Sequence, residues 1–354
     1  MKVPPKRRIL CVCDPRPGGT SGYRLRSLGR LGQEVVEFDI SRYQPRSQMF
    51  SAIRYRVPPV DFLVRRINRD LLRVVRQHQP DVVWFDKPIH FTPSTIQSIK
   101  RTGAKTVCYN QDNPFGTLRE SCWYQFYRVF RLFDLHCLFR PIDVERYRQW
   151  GLPWIRTMFS FEPSMHFPPP EKWADSQRTR AVSYIGSPFE DRPDFLRRLG
   201  EEHQVPLAIS GPRWKKFLPA EMFRRYVSLG YLSDSAYREA IWQSRINLSF
   251  VTHFNEDDIS HKSVEIAACQ GFLLALRSDG HQAIFEEDRE AVFFSSVEEC
   301  ADKCRFYLGR PELREAVARR GRERAVRSGY DNDTQLARIL HHLDGQLPPT
   351  APPA

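Results

Sequence analysis

What most constrains this chain is an alternation that runs twice along its length. Apolar, β-type segments of three to five residues are separated by stretches with helical periodicity. In the first half the predicted strands are Ile9–Cys13, Val35–Phe38, Val82–Phe85, Thr106–Tyr109, Leu135–Leu138 and Ile155–Met158. The clearest helix between them covers 62–77, where Leu63, Ile67, Leu71 and Val75 recur every four residues with arginines interspersed. From Ser160 to Gln177 the chain turns aperiodic and proline-rich, with Pro163, Pro168, Pro169 and Pro170. A second series then begins with Val182–Ile185, Pro206–Ile209, Ile246–Phe250, Phe272–Ala275 and Val292–Phe294. Buried strands alternating with helices predict parallel α/β layers whose ligands sit at the carboxyl ends of the strands.

The expected architecture is therefore two Rossmann-like domains. The first spans 1–160, a linker 161–177 follows, and the second spans 178–327. A C-terminal helix within 328–345 is expected to return to the first domain. The tail 346–354, with four prolines, is expected to be disordered. No run approaches the 18 apolar residues of a membrane span. The basic N-terminus leads into an apolar stretch too short for a signal-peptide core, which predicts a cytoplasmic protein. Eight cysteines without a C-x-x-C pair, most of them inside apolar runs, read as buried thiols in a reducing compartment.

Charge is unevenly spread. Residues 1–160 hold 28 Lys and Arg against 13 Asp and Glu, whereas residues 161–354 hold 26 against 29, so the whole net charge of +12 belongs to the first half. Basic surface of that kind suits an anionic partner, whether phosphorylated lipid, acidic glycan, nucleic acid or a membrane face, and an arginine-rich surface solvated in its own right fits it as well.

Three glycine positions follow predicted strands: Gly18-Gly19, Gly186-Ser187 and Gly211-Pro212. Each brings permissive backbone to the edge of the sheet where an anion can meet N–H groups. The most informative segment runs from Asn255 to Leu274. A carboxylate-rich loop enters a helix near Ser260, whose hydroxyl is placed to cap it, and Gly271 closes the helix before the next strand. Lys262 and Glu265 are neighbours on that helix. A carboxylate there can accept two hydrogen bonds from vicinal ribose hydroxyls, and a lysine one turn earlier can meet a diphosphate. An ordinary capped helix with a Lys–Glu pair fits the residues equally well.

From Ala181 to Leu340 the sequence resembles the C-terminal domain of the "glycosyl transferases group 1" families, most closely the spore-maturation CgeB-like branch. The matching stretches are 183–187, 209–214, 245–248 and Lys262–Leu274 with its Glu-Ile-Ala-Ala-Cys-x-Gly core. Tyr109–Phe115 is similar to the companion domain. The resemblance implies a GT-B fold, with two Rossmann-like domains facing each other across a cleft, and a glycosyltransferase using a nucleotide-sugar donor as substrate. It implies no cofactor and no required metal. Glu265 takes the position of the ribose-binding glutamate, Asp257 that of a sugar-contacting carboxylate, and Lys262 that of a diphosphate-facing cation. Ser263, Gly186, Ser187, Gly211, Arg213, Gly18 and Gly19 complete the implied donor site. Asp112, after the fourth strand, is placed on the acceptor side of the cleft, as general base or as a helix cap. The acceptor expected from the charge is an anionic or membrane-associated glycan or glycolipid, on a protein peripheral to the inner membrane face.

The rival reading is a catalytically degenerate relative that holds an acidic polymer or nucleic acid on its basic half. The Asp331-Asn332-Asp333 sequence is a literal D-x-D, but it starts the last helix, where aspartates cap and oppose the helix dipole. No G-x-S-x-G, H-E-x-x-H or phosphate-loop motif is present, which removes the usual support for hydrolase, zinc protease and P-loop readings.

Overall fold

The computed structural model describes residues 3–17, 19–43, 62–117, 120–171, 173–345 and 347–349. The chain divides into two compact units. The first contains the described residues up to Met158, the short segment Phe254–Glu256 and the described residues from Asn332 onward. The second contains Phe159–His253 and Asp257–Asp331.

The first unit alternates strand and helix as its periodicity dictates. β1 (Arg8–Cys13), α1 (Thr20–Arg30), β2 (Glu34–Asp39), α2 (Phe62–His78), β3 (Val82–Asp86) and α3 (Pro93–Lys100) come first. β4 (Lys105–Tyr109), α4 (Tyr124–Val129), β5 (Leu135–Leu138), α5 (Pro141–Gln149) and β6 (Trp154–Arg156) follow. All neighbouring strands pair in parallel, in the order β2-β1-β3-β4-β5-β6. On one face of the sheet Leu10, Val12, Val83, Phe85 and Cys108 meet Ile67, Leu71 and Val75 of α2. Ile96 and Ile99 of α3 and Phe126 and Val129 of α4 complete that core. Each fully buried aliphatic side chain contributes about 1.5–3 kcal/mol, which is what the four-residue apolar spacing of α2 supplies.

The second unit repeats the plan. β7 (Arg180–Ile185), α6 (Arg192–Arg197), β8 (Leu207–Ser210), α7 (Ala220–Tyr226), β9 (Val227–Leu229), α8 (Asp234–Trp242) and β10 (Ser244–Ser249) are followed by α9 (His261–Ala268). β11 (Leu273–Leu276), α10 (Asp279–Ile284), β12 (Val292–Phe294), α11 (Val297–Leu308) and α12 (Pro311–Arg327) complete it. The sheet is parallel with order β12-β11-β10-β7-β8-β9. In each sheet the order reverses beside the first strand, between β1 and β3 and between β7 and β10. Such switch points open a crevice at the carboxyl ends of the strands.

α13 (Asn332–Leu343) packs within the first unit against α1. Asp333, the last residue of the D-x-D, accepts hydrogen bonds from Ser27 Oγ at 2.5 Å and Arg30 Nη2 at 2.7 Å. Its carboxylate fastens α13 in place.

Three features differ from the sequence expectation. β9 is a mostly exposed edge strand and α10 is a six-residue helix, both too short to leave a periodic signature. The proline-rich stretch expected as a linker is packed on the second unit. Trp242 Nε1 donates to the Phe167 carbonyl at 2.9 Å, Arg238 donates to the Met165 carbonyl at 3.0 Å, and His166 is buried. Its apolar and aromatic residues settle on α8, so the prolines shape a bound segment. Of the tail, residues 346 and 350–354 lie outside the described residues.

Candidate functional site

The second unit's switch point gathers most of the predicted donor residues. Glu265 lies on the second turn of α9 and is 7% exposed. Tyr237 of α8 donates its hydroxyl to Glu265 Oε2 at 2.8 Å, while His261 Nε2 and His166 Nε2 stand 3.4 and 3.7 Å from Oε1. His166 Nδ1 accepts from the Glu162 N–H at 3.0 Å, which puts the neutral imidazole's proton on Nε2, toward Glu265. Burial opposes ionisation of Glu265, but His261, His166, the Tyr237 hydroxyl and Lys262 outweigh it and hold the pKa below its ordinary value. The His261 Nε2–H donates to the Ser160 carbonyl at 2.9 Å, so Tyr237 and His166 are the neighbours that turn protons toward a carboxylate with about four lone-pair sites, which retains capacity for a further donor.

The Lys262 side chain, one turn earlier, makes no hydrogen bond or ion pair among the described residues. Burial lowers its pKa, Glu265 opposes that shift and Arg192 adds to it. A cavity of about 10 Å³, the size of one water, is lined by Lys262, Tyr237, Ser183 and Asn247. Arg192 was not foreseen, although it is the first basic residue after Gly186-Ser187. It is 6% exposed and donates to Tyr184 Oη at 3.2 Å, the Val251 carbonyl at 2.9 Å and Thr252 Oγ1 at 2.8 Å. Its buried Nε has no partner among the described residues. A buried guanidinium held by neutral oxygens, with a lysine in electrostatic reach, makes this corner of the unit cationic.

The glycines are explained by close approach. Gly211 has φ +145, and a Cβ there would lie 2.1 Å from the Gly186 carbonyl oxygen. At Gly186 a Cβ would lie 2.6 Å from Tyr184 Oη. Trp214 Nε1 donates to the Gly186 carbonyl at 2.8 Å, locking the ends of β7 and β8 together. Ser187, half-buried, accepts the Tyr184 hydroxyl on its carbonyl at 3.1 Å. Arg213 is exposed in a left-handed conformation (φ 70), its guanidinium 5.3 Å from the Phe189 ring centroid. Asp257 is half-buried, its N–H donating to the Thr252 carbonyl at 3.1 Å.

Two expectations for α9 change. Ser260 occupies the N-cap position with extended backbone, but its hydroxyl makes no cap bond; its N–H points at His281 Nε2, 3.4 Å away. Ser263 is fully buried, its hydroxyl 2.9 Å from Ser249 Oγ and 2.8 Å from His281 Nε2. That hydroxyl is committed to a packed network. Burial pushes the His281 pKa down to about 4.

In the first unit the switch point opens into a cavity of about 230 Å³ lined by Asp14, Thr20, Arg24, Asp86, Lys87 and Asp112, among others. Arg24 and Asp86 form a buried ion pair at 2.6 Å, supported by Trp84 Nε1. Asp112 follows β4 and its Oδ2 lies 2.5 Å from Lys87 Nζ. Lys87 itself sits at φ 50, a strained conformation for a non-glycine residue at a strand's carboxyl end. Gly19 is the N-cap of α1, and its N–H donates to the Arg16 carbonyl at 3.2 Å. Gly18 lies outside the described residues. Among the described residues no group of three or more His, Cys, Asp or Glu could hold a metal ion, and all eight cysteines are buried free thiols.

Residues 192–341 match the family model described as "Glycosyl transferase-like". No curated protein sequence matches the chain. Solved structures agree in fold. The sucrose-phosphate synthase of Thermosynechococcus elongatus superposes with a TM-score of 0.66 at 10% identity, covering 96% of this chain and 100% of that one. A glycosyltransferase from Rickettsia africae gives 0.67 at 10%, covering 96% and 98%. Anabaena HepE in complex with UDP-glucose gives 0.63 at 13%, covering 96% and 100%. The chain has the GT-B fold of two parallel-sheet, Rossmann-like units.

Proposed function

We propose that the protein is a glycosyltransferase that transfers a sugar from a nucleotide-activated donor to an acceptor hydroxyl. The observation that carries this reading is the second unit's switch point. There the buried Glu265 carboxylate and the cations Arg192 and Lys262 pair a diol acceptor with a diphosphate site. The family match over 192–341 covers all three residues, and HepE, a structure of the same fold, holds UDP-glucose. Glu265 would accept the ribose hydroxyls. Arg192, Lys262 and the backbone after Gly186 and Gly211 would stabilise the departing nucleoside diphosphate, with Arg213 adding charge at the rim.

The acceptor would occupy the first unit's cavity. Its oxygen bonds to the anomeric carbon as the bond from that carbon to the diphosphate oxygen breaks. With Asp112 as base, the hydroxyl proton passes to its carboxylate and the anomeric configuration inverts. The arginine-supported diphosphate needs no metal ion in this scheme. The basic first half favours an anionic glycan or glycolipid acceptor.

Incubation with UDP-, GDP-, ADP- and dTDP-hexoses, with release of nucleoside diphosphate followed with and without EDTA, tests the proposal. Release from one donor class, insensitive to EDTA and accelerated by a glycan acceptor, is expected. A chelator-dependent reaction would overturn metal independence. Absence of release from every donor, together with salt-sensitive binding of an acidic polymer, would favour the degenerate-binder reading, which draws on the same basic half.

A further inference from the structure

We infer that the outer face of α2, α3 and α4 in the first unit docks on an anionic lipid bilayer. This inference is independent of the donor-site reading. It begins with helical geometry. At 100° per residue Arg65, Arg66, Arg69, Arg73 and Arg76 fall within an arc of roughly 100° on α2, opposite the buried Val64, Ile67, Leu71 and Val75. All five arginines are exposed, and Arg66, Arg69 and Arg73 keep 61–66% of their side-chain surface in solvent. The only carboxylate in the helix is Asp70. It is shared among Arg66, Arg69 and Arg73 at 3.2–3.8 Å, and also accepts the Tyr43 hydroxyl. One acid therefore faces five cations along about 17 Å of helix.

The apolar stripe of α2 is spent on the core, so this helix does not insert; it presents charge. α3 packs beside α2, and α4 beside α3, over one core on one face of the sheet. Their outer surfaces extend the basic layer with the exposed Arg101, Arg128 and Arg131, while the exposed Lys100 is paired with Asp134 at 2.8 Å. Three aromatic side chains join it: Phe62 at the first position of α2 (77% exposed) and Tyr124 and Tyr127 of α4. A broad, helix-built cationic face carrying these exposed aromatics matches the headgroup region of an anionic leaflet. There, cations meet phosphates and aromatic rings sit at the interface. A single-stranded nucleic acid calls for a different layout, with aromatics interleaved among the cations along a groove.

The test is co-sedimentation of the full chain with vesicles of phosphatidylcholine alone or of phosphatidylcholine with phosphatidylglycerol, across a salt series. Binding only to the anionic vesicles, released by high salt, is expected. Each arginine near such a surface contributes roughly fivefold in partitioning, so Arg65→Gln/Arg69→Gln/Arg73→Gln should weaken it roughly 100-fold. These side chains are exposed, and circular dichroism would confirm that the variant folds. Replacing Arg319 and Arg320 on α12 of the second unit by Gln removes charge elsewhere and should leave binding within about twofold. Equal binding to neutral vesicles, no binding to anionic ones, an equal loss in the α12 variant, or capture of single-stranded RNA in preference to vesicles would each overturn the inference.

Discussion

Glu265→Gln is the perturbation that isolates the proposed ribose contact. The substitution keeps shape and an acceptor for the Tyr237 hydroxyl, now 2.8 Å from Oε2, so packing around α9 is retained. It removes the negative charge, and hydrogen bonds to an ionised acceptor are roughly twice as strong as neutral ones. For two bonds from a vicinal diol, in a site only 7% exposed, the loss is roughly 1–3 kcal/mol, a 5- to 150-fold rise in Kd. The diagnostic is a cycle of four titrations: the preferred nucleoside diphosphate and its 2′-deoxy counterpart, each against the natural protein and the Gln variant. Losing the 2′-hydroxyl should weaken binding to the natural protein about as much as losing the charge does. It should matter little once the charge is gone, and a coupling of about 1 kcal/mol or more is expected. Equal affinity for both nucleotides in the natural protein, or a 2′-deoxy penalty unchanged in the variant, would refute the assignment.

Four further outcomes follow from the geometry. Arg192→Met should weaken nucleoside diphosphate binding at least tenfold while leaving uncharged nucleoside binding nearly unchanged, because in the proposed site the buried guanidinium addresses the phosphates; parallel titrations decide. If Asp112 is the base, Asp112→Asn lowers kcat by roughly 100-fold or more with donor Kd unchanged, and NMR finds an inverted anomer; a retained anomer with kcat intact removes it from the mechanism. Gly211→Ala forces a methyl against the Gly186 carbonyl at a φ that side chains avoid, and should destabilise the second unit by about 3 kcal/mol or more in denaturant melts. His136 and His281, both buried and held near a pKa of about 4, bind protons in the unfolded chain first. Their folded pKa lies below the unfolded value of about 6.5, so the stability they confer is present above pH 6.5 and is lost as pH falls toward 4. Each accounts for roughly 3 kcal/mol of that slope, measurable by chemical denaturation across the window.

Much of the fold was legible because parallel strands buried on both faces advertise themselves as apolar runs, as in Ile9–Cys13 and Ile246–Phe250. Helices such as α2 and α12 were long enough to show their period and their ends. β9 and α10 were not, being short elements defined by neighbours in space. The candidate site was partly legible. Lys262 and Glu265 stand on one helix at a fixed offset, so sequence spacing carries their geometry. Tyr237 and His166 reach Glu265 from α8 and from a stretch that reads as a linker, contacts that only the folded sheet brings together. Arg192 escaped notice because its signal is burial without a carboxylate, which sequence does not display. Ser263 shows the converse: a polar residue in the right place whose hydroxyl the core has already engaged.

The most direct test of the account is calorimetric titration of the purified chain with UDP, GDP, dTDP, ADP and CMP, with and without magnesium. Selective binding of one nucleoside diphosphate, equal in both conditions and abolished by Glu265→Ala in a folded protein, is the predicted result. Binding of none of them, or unchanged affinity in the Glu265→Ala variant, would contradict the donor site placed at the second unit's switch point.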